Sequence, residues 1–327
     1  MLVGDKSKKY SRLLVIAIFL IVSSWVLTSK DMTTKNESIF QVKNGSSMGN
    51  VADELSQKNL IKSQLYFISL SKLIGANQKL KSGYYLVTPK MSILTFLKNI
   101  SNGTVLSTKI TLIEGKTIEY YFDQLDSDPT LESSGSLDEI MLSIGIKKPY
   151  DGWFFPETYQ FNYGDSVENV LKRAHIEMQK NLNELWIKRD KSIPLKSPYE
   201  AIILASLIEN ETALDNEKTL ISGVFIRRLN SGMRLQTDPT VIYALGDSYM
   251  PPLKKSDLKI DSLYNTYRNK GLPPGAISSV GYKSLFAALH PDNGKALYFV
   301  SKKDGSHAFA PNYKEHKENI KKYLNQN

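Results

Sequence analysis

Apolar residues first run almost unbroken and then fall into two alternating rhythms. Residues 11–29, SRLLVIAIFLIVSSWVLTS, carry Arg12 as their single charge. At 1.5 Å per residue, about nineteen such positions roughly match a hydrocarbon core, so the stretch reads as a transmembrane helix. Residues 30–37 are polar and read as a tether. From Ser38 the pattern predicts strand, helix, helix, strand, helix, strand. IFQV is a short strand, and a helix through VADELSQKNL is capped by Ser46 or Ser47. SQLYFISLSKLIG is a second helix, and SGYYLVTP is a strand stopped by Pro89. MSILTFLKNISNG is a helix ended near Gly103, STKITLIEG is a strand, and the unit closes near residue 112.

Residues 113–192 open on IEGKTIEYYFDQL, a turn followed by a helix, and continue into DSDPTLESSGSLDE, whose Ser and Asp content predicts an exposed loop. After DGWFFPETYQFNYG comes a helical segment over 166–189, too charged for full burial. From about residue 193 helix signals alternate with Gly/Pro turns and end in a helix over Tyr313–Tyr323. The fold class is therefore α+β: an N-terminal transmembrane helix, a small αβ subdomain, then a mixed α+β part.

Composition narrows the function classes. With 41% hydrophobic and 23% charged residues in 327, the chain is ordinary globular protein. The formal charge of +9 suits an anionic partner. Lys and Arg are spread along the chain without a zinc-finger, basic-zipper or RNP pattern, so no nucleic-acid partner is expected. Absence of cysteine removes disulfides, Cys-zinc sites and thiol catalysis. With four histidines and no HExxH pattern, neither a metal nor a cofactor is expected. Lys6, Lys8, Lys9 and Arg12 precede or open the apolar run, while Lys30 and Lys35 after it are offset by Asp31 and Glu37. That bias keeps residues 1–10 in the cytoplasm and puts everything after the span outside. A cleaved signal peptide is the alternative, against which VLTSKDM makes a poor cleavage site.

Candidate chemistry gathers in the last third. Ser197-Pro-Tyr-Glu200 is a capping box with proline at the first helical position, and the helix EAIILASLIENETAL follows. Glu209 comes near its end on the face of Ile202, Ala205 and Ser206. A carboxyl group desolvated by an apolar face is how proteins make a general acid for neutral pH. The alternative is a structural glutamate held by an arginine or a backbone donor. Glu211 lies roughly 200° further round, pointing away, and reads as structural. Glu157, in Phe-Pro-Glu-Thr, reads as a local turn acceptor. Gln236-Thr-Asp238-Pro239 is a turn carrying an amide and a carboxylate, and Tyr264, Asn265, Thr266 and Tyr267 precede a stiff Gly-Leu-Pro-Pro-Gly loop. Amides, hydroxyls and aromatic faces suit sugar, although each piece alone is ordinary packing. Trp153-Phe-Phe155 reads as a core anchor.

Together, DGWFFPETYQF, LASLIENET, GMRLQTDPTVIYALG, YNTYRNKGLPPGAI and LYFVSKKDGSHAF form collinear blocks. From about Ser38 onward the chain resembles the endolytic murein transglycosylase (YceG-like) family. The resemblance implies a LysM-like subdomain over residues 38–112, a connecting part over 113–192 and a catalytic part over 193–327. It implies a lyase that cuts the MurNAc-GlcNAc bond within peptidoglycan glycan strands, leaves a 1,6-anhydroMurNAc end and stops strand elongation. Glu209 would be the catalytic acid/base. Gln236, Asp238, Tyr264, Asn265, Thr266, Leu272, Pro273, Pro274 and Gly275 would line the glycan cleft. Its partners would be glycan strands, the cytoplasmic membrane through the single-pass anchor, and peptidoglycan synthases. Departures are Asn210 where lysine is usual, Ile113 for proline and Lys317 for asparagine. Three rival readings stay open: a hydrolytic muramidase using Glu209 and Asp238, a non-catalytic wall-binding scaffold, and a plain spacer in place of the LysM-like part.

Overall fold

The structure is a computed structural model that describes residues 4–324. The chain divides into two compact units, one running to residue 108 and including 160–164, the other built from 109–159 and the residues from 165 onward.

The first unit opens on helix α1 (Gly4–Ser29). From Leu14 onward its apolar side chains lie largely open, with Leu14, Phe19 and Ile21 each more than 60% exposed. Among the described residues no helix is long and apolar enough to cross a membrane. The expected cytoplasmic tail begins in residues 1–3, outside the described residues. Strand β1 (Ser38–Val42), helices α2 (Met48–Gln57) and α3 (Gln64–Leu73), strand β2 (Gly83–Val87), helix α4 (Ile93–Asn102) and strand β3 (Ser107–Thr111) follow in the order the pattern predicts. The local causes are ordinary ones. Ser47, Ser63 and Ser92 each accept a hydrogen bond from a first-turn N–H, and Gly103 takes the left-handed conformation that ends α4. β1 and β2 pair antiparallel from Ser38↔Val87 to Val42↔Gly83. Phe40, Val42, Tyr85 and Val87 alternate inward onto a core with Leu55, Phe67 and Phe96.

The second unit is mainly helical. In order come α5 (Ile118–Asp126), α6 (Leu137–Ile144), β4 (Thr158–Asn162), α7 (Val167–Lys188), α8 (Pro198–Glu211), α9 (Asp215–Asn230), α10 (Asp238–Leu245), α11 (Tyr282–Leu289), the strands β5 (Tyr298–Ser301) and β6 (His307–Ala310), and α12 (Tyr313–Tyr323). β5 pairs antiparallel with β6. α8 is the central element: residues 201–208 are all buried, with α7, α9 and α11 packed around them. Ser197 caps its start, and Glu200 reaches back to the Lys196 N–H at 2.6 Å. After Glu200, charged residues return only in the final turn, so that turn is where α8 can offer acid–base chemistry. Two features depart from the sequence pattern. The acidic stretch expected as loop contains the start of α6, fixed by a reciprocal capping box between Ser136 and Glu139. The β5–β6 hairpin is too short to leave a periodic signal.

Candidate active site

The last turn of α8 sends its two carboxylates to different places. Glu209 Oε1 lies 2.7 Å from Lys218 Nζ, and its Oε2 accepts the Gly281 N–H at 3.0 Å. Lys218 also donates to Ser284 Oγ at 2.8 Å, and the Lys218 and Glu209 side chains are 5% and 7% exposed. Glu209 is thus one half of a buried ion pair, with both oxygens occupied. The carboxylate is therefore not free on an apolar face: a lysine and a backbone donor hold it.

Glu211 turns the other way and meets the loop before α10. Its Oε1 accepts the Thr237 hydroxyl, and the side chain lines a cavity of about 490 Å³. Desolvation by the surrounding protein pushes this carboxyl up to about 7. The Asp238 carboxylate adds to the rise, while the Thr237 hydrogen bond and the Arg228 charge oppose it. Glu211 points away from the apolar face, as the helical repeat predicts, and toward the cavity.

Gln236 and Asp238 line the same cavity, so these two expected site residues come together with Glu211. Gln236 sits at φ +50, a left-handed backbone that a non-glycine residue adopts only when its surroundings impose it. Those surroundings include Thr266, whose carbonyl accepts the Gln236 N–H at 3.3 Å and whose hydroxyl accepts the Thr237 N–H at 3.1 Å. Asp238 accepts the Tyr267 hydroxyl. β5, β6 and α12 also contribute to the lining of the cavity. Arg228 is fixed by the carbonyls of Leu235 and Leu297, its guanidinium 5.3 Å from the centre of the Tyr298 ring. His316 stacks on Tyr298 with ring centres 5.1 Å apart. Burial, then the Arg228 charge, hold His316 below the usual imidazole range. His307 also faces the cavity.

The other expected cleft residues lie elsewhere. Asn265 is fully buried: its amide donates to the carbonyls of Leu258 and Ile260, and its Oδ1 accepts the Tyr267 N–H. It shapes the loop that presents Tyr267. Thr266, 1% exposed, supports the Gln236 turn from behind. Tyr264 packs 4.8 Å from Tyr243, whose hydroxyl donates to the buried Asp151 at 2.6 Å. Leu272, Pro273 and Pro274 line a different cavity of about 500 Å³ with residues of 194–203. Gly275 is required by packing, since a Cβ there would lie 2.5 Å from Pro149 Cγ and 2.7 Å from the Tyr264 hydroxyl. The polar atoms of Asn265 and Thr266 are thus committed to protein partners.

Two structural readings hold. Glu157 accepts the neighbouring Thr158 N–H, and Trp153 stacks on Tyr199 at 4.6 Å while Phe154 and Phe155 are buried. Asn210, where lysine is usual, bonds Ser206 O and Ser278 Oγ. Among the described residues no group of three His, Asp or Glu side chains is placed to hold a metal ion. Sequence reasoning groups Tyr267 with the sugar-suited residues but passes over Arg228, His307 and His316, although His307 lies inside the LYFVSKKDGSHAF block; a lone histidine carries no spacing signal. The cavity thus gathers a carboxyl group near its midpoint of ionisation at neutral pH, a second carboxylate, an amide, a guanidinium and aromatic faces, a set suited to acid catalysis on a polyhydroxylated substrate.

Residues 40–322 match the YceG-like family. The endolytic murein transglycosylase of Bacillus subtilis is 32% identical over 321 residues, covering 91% of this chain and 88% of that protein. That of Streptococcus pneumoniae strain R6 is 28% identical over 333 residues, covering 90% of this chain; the chain spans 60% of that longer protein. The solved structure of a YceG-like protein from Listeria monocytogenes superposes with a TM-score of 0.53 at 28% identity, covering 87% of this chain and 99% of that one.

Proposed function

The chain belongs to the YceG-like family, and from that premise we propose that it is a lytic transglycosylase of peptidoglycan whose proton donor is Glu211. The observation that carries the assignment is a carboxyl group pushed up to about 7 inside a cavity that also holds Gln236 and Asp238. At that value a substantial fraction is protonated at neutral pH, as a general acid requires. Protonated Glu211 donates to the glycosidic oxygen between MurNAc and GlcNAc as positive charge develops on C1. The MurNAc C6 hydroxyl attacks C1 and closes a 1,6-anhydro ring, its proton passing to a base in the same cavity. The substrate supplies the nucleophile, so no protein carboxylate need form a covalent bond. Asp238, held by Tyr267, helps keep Glu211 protonated and orients sugar hydroxyls.

In this reading the apolar stretch over residues 11–29 anchors the protein in the cytoplasmic membrane with its working parts outside, supported by the cationic residues at its start and the exposed apolar side chains of α1. The β1-α2-α3-β2 order of the first unit supports a LysM-like, wall-contacting role. Peptidoglycan synthases, whose strands such an enzyme ends, are the partners it implies.

The test is mass analysis of products from purified glycan strands. New ends carrying 1,6-anhydroMurNAc are expected, and reducing MurNAc ends mean a muramidase instead. Glu211→Gln should lose roughly two to four orders of magnitude in rate, the usual worth of general acid–base catalysis. A folded Glu211→Gln protein with wild-type rate would refute the assignment of the donor.

A further inference from the structure

A second titratable group lines the Glu211 cavity, and its geometry is more constrained than packing alone requires. His307 is the first residue of β6 and lines the cavity, whereas Glu217, on α9, does not. Glu217 grips His307 twice: Oε1 accepts the His307 backbone N–H at 2.9 Å, and Oε2 lies 2.7 Å from Nδ1. The Glu217 and His307 side chains are 8% and 11% exposed. The Phe299 ring stands perpendicular to the imidazole, with centres 5.3 Å apart, which fixes the ring plane. A carboxylate against Nδ1 selects the tautomer with hydrogen there, leaving the Nε2 lone pair as the free function of the ring. Nε2 has no hydrogen-bond partner among the described residues, and the ring borders the space where substrate would lie.

We propose that His307 is the general base of the reaction, receiving the proton of the attacking C6 hydroxyl, and that Glu217 is the residue that positions it. This rests on the reading that Glu211 is the acid. In one event the C1–O bond to GlcNAc breaks as the Glu211 proton moves to the leaving oxygen. The C1–O6 bond forms as the O6 proton moves to Nε2. Glu211 is left as carboxylate and His307 as imidazolium, its charge facing Glu217. One proton returned from the imidazolium to Glu211 through water restores both groups, so the cycle consumes no water and no net proton. Dividing the proton work also relieves Glu211, whose Oε1 is already engaged by Thr237, of serving two substrate oxygens in turn.

The test uses the full-length protein with purified glycan strands, after thermal unfolding of each variant has been compared with wild type. His307→Ala should lower kcat about a hundredfold with little change in KM, within the usual worth of a general base. Added imidazole, which fits the vacated space, should return about tenfold of that loss; a residue with only a structural role gives no such rescue. Glu217→Gln is the second variant and remains informative if His307→Ala fails to fold. Its amide can present N–H to Nδ1, which forces hydrogen onto Nε2 and removes the acceptor, so kcat should again fall about a hundredfold. A wild-type rate in either folded variant, or a loss in His307→Ala that imidazole does not touch, overturns the proposal. Glu211→Gln, assayed in parallel, separates the two levels. If it is slow while His307→Ala is not, only the base is wrongly assigned; if it is fast, the acid reading falls first.

Discussion

Glu209 and Glu211, separated by one residue, place opposite demands on the molecule. Breaking a buried ion pair from one side strands a charge, so Glu209→Gln should destabilise the protein by about 3–5 kcal/mol in denaturant titration. Adding Lys218→Met to it should recover much of that loss. Glu211 has the reverse profile. Its value of about 7 in the folded protein lies above the ordinary carboxyl value of 4.5, so its favourable contribution is present below pH 4.5 and is lost as pH rises through 7. Glu211→Gln should therefore be more stable than wild type at pH 8, by on the order of 2 kcal/mol, and closely matched near pH 4, as differential thermal unfolding would show. The helical repeat alone made the opposed directions of the two glutamates legible. It could not show what each would meet, because Lys218, Gly281 and Thr237 arrive by tertiary folding.

At the scale of elements, the sequence was most informative where a cap or breaker acts locally. Ser47, Ser92, Ser166 and Ser197 start their helices with side-chain hydrogen bonds, and Gly103 ends α4 with a left-handed backbone. It was least informative for β5 and β6, four residues each, too short for an alternating pattern to stand out. Nor could it separate Asn265, Thr266 and Gly275, which build loops, from Gln236 and Asp238, which face the cavity, because both sets sit in polar, turn-rich blocks. The packing around α8 gives a sharp test. Gly152 has φ +84, and a Cβ there would lie 2.4 Å from Ile202 Cγ2 and 2.8 Å from Ala276 Cβ. Gly152→Ala combines left-handed strain with overpacking and should cost about 2–4 kcal/mol, read as a lowered denaturation midpoint with an unchanged slope.

Across the whole molecule, the α+β class and the strand-helix order of the first unit were legible because hydrophobic periodicity is a local property. The cavity was not, because its walls are distant in sequence. The anchoring part of the proposed function is checked by fusing a reporter active only in the cytoplasm to the C-terminus; no signal is expected, and a clear signal would remove the extracytoplasmic reading. The cavity's construction has a consequence in time. The ribosome makes Glu211 well before the residues of β5, β6 and α12 that line the same cavity, so a nascent chain holds the proposed acid without the rest of the lining, His307 and His316 included. On the proposed assignment, an enzyme that cuts the wall protecting its own cell would stay latent during its synthesis, its site completed only when β5 and β6 are made and pack against α9.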